Sequence, residues 1–184
     1  MTSRRTRAVS STRSRKRSIS PIERRDPPLA GDEKETLVAF LDYHRDTLLM
    51  KIDGVSDDEL RRRMTPTGLS LLGLVKHLAY VERWWFQKRF ADRDVTKPST
   101  DDDPDADFRI EPHESTREIV DLYKQECAIS REIIATASLD DLATNVKRRD
   151  HSLRWMVVHM IEETARHNGH ADIMREAIDG VTGE

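Results

Sequence analysis

The chain has a single cysteine, Cys127, so no disulfide can form within it, and the disulfide-built scaffolds of small secreted domains are excluded. No apolar run approaches the roughly 18–20 residues that a membrane-spanning helix needs, and the apolar core of a secretory signal is missing too. Hairpin signals are absent, as is any internal repeat of roughly 20–50 residues, which sets aside all-β folds and solenoids. A cytoplasmic protein is the expectation left standing. A basic excess is also lacking where a nucleic-acid-binding domain would need one. Residues 1–25 hold nine Lys/Arg against the lone acid Glu23, a net of +8, which leaves −11 for residues 26–184 out of a total of −3. The main body is acidic and a poor match for a phosphate backbone.

What is present is helical. Residues 1–28 are rich in Ser, Thr and Arg and end at Pro27-Pro28. They offer too little apolar surface to offset the cost of ordering, so a disordered tail is expected, either a basic arm for nucleic acid or anionic lipid or a dispensable extension. Residues 29–184 read as one domain. Leu37, Phe40, Leu41, Leu48 and Ile52 recur at helical spacing over about Asp32–Ile52, and Gly54 stops the pattern. Ser56-Asp-Asp-Glu59 has the form of a capping box before a short helical turn. A second long helix begins at Ser70 and runs to about Ala91, with Leu71, Leu74, Leu78, Val81 and Trp85 inward. Residues 92–114 have no apolar period; the acidic run Asp101–Asp105 lacks the glycine and closing glutamate of an EF-hand and reads as a solvated loop. Ser115-Thr-Arg-Glu118 opens a third helix with Ile119, Leu122, Ile129 and Ile133 inward. The fourth runs from about Leu153 to Ile178 and ends at Gly180. Four long amphipathic helices predict an all-α four-helix bundle.

The fourth helix departs from a plain core pattern. Its seam reads Met156, Met160, Glu163, His167, His170, Met174, with ionisable groups in the middle of an apolar stripe. An unpaired carboxylate in such a place costs several kcal/mol or shifts its pKa strongly, so something must compensate it. Glu163 and His167 stand four residues apart and can reach one ion. On the second helix His77 interrupts the stripe between Leu74 and Val81, and Gly73 one turn earlier leaves space beside it. Two nitrogens and one carboxylate oxygen from facing helices suit zinc or a similar first-row cation, with one coordination position open. The bland alternative is a hydrogen-bonded core cluster. His159, one turn before Glu163, is an alternative ligand, and His44 a weaker rival. His170 would line the mouth of the site, where it could shuttle a proton.

Glu126, near the inward stripe of the third helix, reads as a flank residue, with ligand orientation or thiol binding as its other reading. Cys127 reads as packed rather than nucleophilic. Trp84, Trp85 and Phe86 cannot all face one side of a helix; some belong in the core, and another would line a pocket or a homodimer surface.

The segment from Val158 to Asp172, Val-His-Met-Ile-Glu-Glu-Thr-Ala-Arg-His-Asn-Gly-His-Ala-Asp, resembles the signature of the DinB/YfiT-like superfamily, most closely its actinobacterial branch of mycothiol-dependent enzymes. Leu74-Val-Lys-His-Leu78 is similar to that family's second-helix motif. The resemblance implies an up-down-down-up four-helix bundle with a divalent metal between helices. His77 and His167 match family ligands, and Glu163 stands where the family usually has a histidine. It further implies a thiol S-transferase, with Zn²⁺ or Ni²⁺ as metal, mycothiol or a similar low-molecular-weight thiol as co-substrate, and a small electrophile as acceptor. A metal-binding stress or interaction protein without turnover is the other function the same features predict.

Overall fold

Each α-helix among the described residues starts where a short polar side chain takes up a free backbone N–H. The computed structural model describes residues 23–144 and 150–182; the expected tail through Ile22 and part of the polar stretch before Asp150 lie outside the described residues. Asp32, Ser56, Ser70, Ser115 and Ser152 each accept a hydrogen bond from the N–H three residues on. They open α1 (Glu33–Ile52), α2 (Asp57–Arg61), α3 (Leu71–Glu82), α4 (Thr116–Thr136) and α5 (Leu153–Asp179). The full reciprocal box forms at Ser115 and Glu118. At Ser56 only the hydroxyl half forms, and the Glu59 carboxylate turns to Arg62 at 2.7 Å. Gly180 closes α5 with φ +76°, a left-handed conformation that favours glycine.

Contacts along the helices fix their directions. Glu33 pairs with Arg154, the His44 carbonyl accepts from Asn168 at 2.9 Å, and the Lys51 carbonyl accepts from Arg175 at 3.0 Å, so α1 and α5 run parallel. Lys76 reaches Glu114 and Arg83 reaches Glu126, so α3 and α4 also run parallel. Lys34 donates to the Ala137 carbonyl while Asp42 pairs with Arg131, which makes α1 and α4 antiparallel. The result is the up-down-down-up bundle.

The core has two apolar ends with a polar layer between them. One end gathers Leu48, Ile52, Leu71, Leu74, Leu78, Ile119 and Met174; the other gathers Leu41, Phe86, Phe90, Ile133, Leu153, Met156 and Met160. Between them Arg45 of α1 donates to both carboxylate oxygens of Glu82, at 2.8 and 2.6 Å, with both residues 1% exposed. Glu126 belongs to this layer: it is buried and accepts from Arg83 at 2.6 Å and Gln87 at 2.5 Å. The reading of Glu126 as a flank residue is therefore corrected, because a guanidinium and a carboxamide on the neighbouring helix draw it inward. Phe40, expected inward, is 44% exposed; the buried line of α1 runs instead through Leu41, Arg45, Leu48 and Ile52.

The second long helix does not run unbroken to Ala91. At Arg83 it widens into a π-helical segment, Arg83–Phe90. The wider turn parcels out the three consecutive aromatics. Phe86 is fully buried, Trp85 packs against α5 with its ring centroid 5.6 Å from that of Trp155, and Trp84 lies half-buried beneath Lys97 and Arg89.

Candidate metal centre

Helix pitch brings Glu163 and His167 one above the other on α5, and the antiparallel crossing of α3 sets His77 opposite them. His167 Nε2 lies 3.2 Å and His77 Nε2 3.6 Å from the same oxygen, Glu163 Oε1. One donor atom from each of the three falls within 4.8 Å of the others. Two donors held about 2.0–2.1 Å from one tetrahedral ion stand roughly 3.3 Å apart, so the spacing suits a small divalent cation. The side chains are 14%, 16% and 11% exposed for His77, Glu163 and His167, enough for a ligand to reach them from one side.

The electrostatics agree with this donor set. Hydrogen bonds to His167 and His77 hold the Glu163 carboxyl far below its ordinary value, so it is a carboxylate at any physiological pH. At His77 burial works against the charged ring, but the neighbouring carboxylates of Asp107 and Glu163 outweigh it and raise the pKa above the ordinary 6.5. Without a cation, a proton on the His77 ring helps to compensate the carboxylate.

The rivals stand elsewhere. His159 stacks on Trp155 at 5.2 Å and meets Trp85 edge-on at 4.6 Å, in a ring cluster that also takes in His151. His44 faces Tyr43 at 5.6 Å, and its pKa is lowered by burial and by Arg24. His170 is exposed, off the buried line, with its ring 5.5 Å from that of His167. Cys127 is 4% exposed, and burial pushes its thiol up to about 12, which leaves it a packing residue.

A family model described as mycothiol-S-transferase matches residues 36–180. The chain belongs to this family. No curated protein matches it. The family match takes in His77, Glu163 and His167 together and leaves out the basic N-terminal stretch.

One part of the candidate site escaped the sequence reading. The loop taken as solvated does expose Asp101, Asp102 and Asp105, but it then turns inward. Asp107 is 5% exposed with Oδ2 3.2 Å from His77 Nδ1, and the Phe108 ring stacks on the His77 ring at 3.8 Å and 13°. Gly73 makes this approach possible, since a Cβ there would sit 2.5 Å from the Phe108 carbonyl oxygen. The space beside His77 was legible; its occupant was not, because nothing in an aperiodic acidic loop marks Asp107 apart from Asp103 or Asp105.

Proposed function

We propose that the protein is a metal-dependent thiol S-transferase that joins mycothiol, or a similar low-molecular-weight thiol, to a small electrophile. The observation that carries this is the convergence of His77, Glu163 and His167 at a face reachable from one side, in a chain of the mycothiol-S-transferase family. These three residues would hold the ion, zinc by the chemistry of two imidazoles and a carboxylate, with nickel the alternative. A divalent cation there lowers the pKa of a thiol brought beside it and so raises the nucleophilic thiolate fraction.

The protein's own groups do the rest. His170, at the mouth beside His167, accepts the proton that leaves the thiol sulfur. The sulfur then forms a bond to the electrophilic carbon, and either a leaving group departs or the proton returns to the acceptor. The acceptor would lie along the seam where α3 and the π-helical segment meet α5. There His77 lies against Glu163 and Trp85 against His159 and Trp155, and Trp155 is 46% exposed. Substituting Trp155 by Ala should raise KM for an apolar acceptor several-fold and leave metal content unchanged. The cytoplasm, where such thiols stay reduced, is the compartment this reading assigns.

The test is thioether formation from mycothiol and an activated chloronitroarene, followed by absorbance with zinc-loaded protein. Turnover that is lost in His167→Ala supports the reading. Full turnover by a metal-free His167→Ala protein, or a fully loaded wild type that transfers none of mycothiol, bacillithiol or glutathione, contradicts it.

A further inference from the structure

We propose that Asp107 is a positioning residue for the metal centre: its carboxylate holds the Nδ1–H of His77 so that Nε2 points its lone pair at Glu163 and His167, and it thereby sets the affinity of the site for its ion. The inference rests on the metal-binding reading of the three ligands and concerns a residue outside them.

Asp107 is hard to explain as a packing residue. A buried carboxylate needs compensation. Besides His77 Nδ1 at 3.2 Å, its near partner is the Ser99 hydroxyl at 3.5 Å, the outer limit of a hydrogen bond, and Oδ1 accepts no hydrogen bond. Among the described residues, the His77 ring is the group that pairs with its charge. A neutral imidazole carries one N–H, so giving it to Asp107 leaves Nε2 as the acceptor nitrogen that a cation requires. Nδ1 of neither histidine is aligned for a hydrogen bond in this structure, but that of His77 has a carboxylate oxygen 3.2 Å away, whereas among the described residues no carboxylate pairs with Nδ1 of His167. The support is thus confined to the ligand from α3.

The backbone shows how the loop is seated for this task. The missing side chain at Gly73, one turn before His77, lets the Phe108 carbonyl lie against the helix where a Cβ would meet it at 2.5 Å. That contact fixes residues 107 and 108 together. Asp107 then grips the edge of the His77 ring while Phe108 covers its face at 3.8 Å. Gly73 touches no ligand atom, yet an added methyl there must push the loop backbone away and carry Asp107 with it.

The experiment is zinc affinity by competition with a chromophoric chelator, on the full chain and on Asp107→Asn, Asp107→Ala and Gly73→Ala. Each is paired with thermal unfolding of the metal-free form. Asp107→Asn should bind zinc about 10–100-fold more weakly at an unchanged metal-free unfolding temperature, because the carboxamide keeps the volume and loses the charge. Gly73→Ala should weaken zinc in the same direction. In the zinc-loaded wild type the His77 Nδ1–H proton should give a downfield resonance that moves upfield in Asp107→Asn. Should Asp107→Ala fail to fold, the isosteric variant and Gly73→Ala carry the comparison. Wild-type affinity in Asp107→Asn and Gly73→Ala would overturn the role of Asp107 while leaving the ligands in place. A wild type that binds no zinc would overturn the metal reading and this inference with it.

Discussion

Glu163 is a carboxylate set among apolar neighbours, and its surroundings explain how it persists there. Its carboxyl is lower in the folded than in the unfolded chain, where the ordinary value is 4.5. The stability it lends is therefore full above that value and is lost as pH falls through the folded one. His77 works the other way. Its pKa is raised, so its contribution is full below the ordinary 6.5 and is lost as pH rises through the folded value. A cation needs the imidazoles unprotonated, so ion binding replaces protons and strengthens with pH. The unfolding-temperature gap between zinc-loaded and stripped protein should widen from about pH 6 to about pH 8. A gap constant over that range would contradict the ligand assignment of the histidines. Cys127 gives a simpler check: with its thiol pushed up to about 12, it should resist alkylation near neutral pH in the folded protein and react promptly in urea. At this scale the cluster of His77, Glu163 and His167 was legible because a helix has a known phase, and a polar residue in its apolar seam is visible as a break. Asp107 has no phase to violate.

Among the elements, the caps and lengths of the long helices follow directly from Ser and Asp before each apolar period. The π-helical segment does not, since Trp84-Trp-Phe86 satisfies a helical pattern of either width equally well. The polar layer was also hidden. Arg45 and Glu82 look like surface residues in sequence, yet each is 1% exposed and they meet through two hydrogen bonds. Removing Glu82 leaves two buried guanidinium donors of Arg45 without partners, with the partly exposed Asp42 at 2.8 Å as the acid that stays paired to it. Glu82→Ala should lower unfolding free energy by about 3–5 kcal/mol in urea titration, whereas a loss below about 1 kcal/mol would mean water reaches Arg45. Because α3 carries both Glu82 and His77, the layer also fixes the height at which His77 meets α5.

For the whole molecule, the parallel pairing of α1 with α5 and of α3 with α4 leaves α3 crossing α5, and that crossing joins candidate ligands 86 residues apart, from His77 to Glu163. Sequence pattern alone yields four helices; their order came from the resemblance carried by the α5 motif, and contacts such as Asn168 to His44 establish it. We assign the domain to residues 29–184, so a chain lacking residues 1–22 should keep its unfolding temperature and metal stoichiometry, while any salt-sensitive DNA binding by the full chain should vanish with the deletion. Among the described residues no helix is long and apolar enough to cross a membrane. The central claim is that three side chains on two helices hold one ion. Elemental mass spectrometry of purified wild type and of His77→Ala, Glu163→Ala and His167→Ala tests it most directly. The account predicts about one equivalent of zinc or nickel in the wild type and loss of it in all three variants; a wild type that takes up no stoichiometric metal after reconstitution, or variants that keep it, would contradict the account.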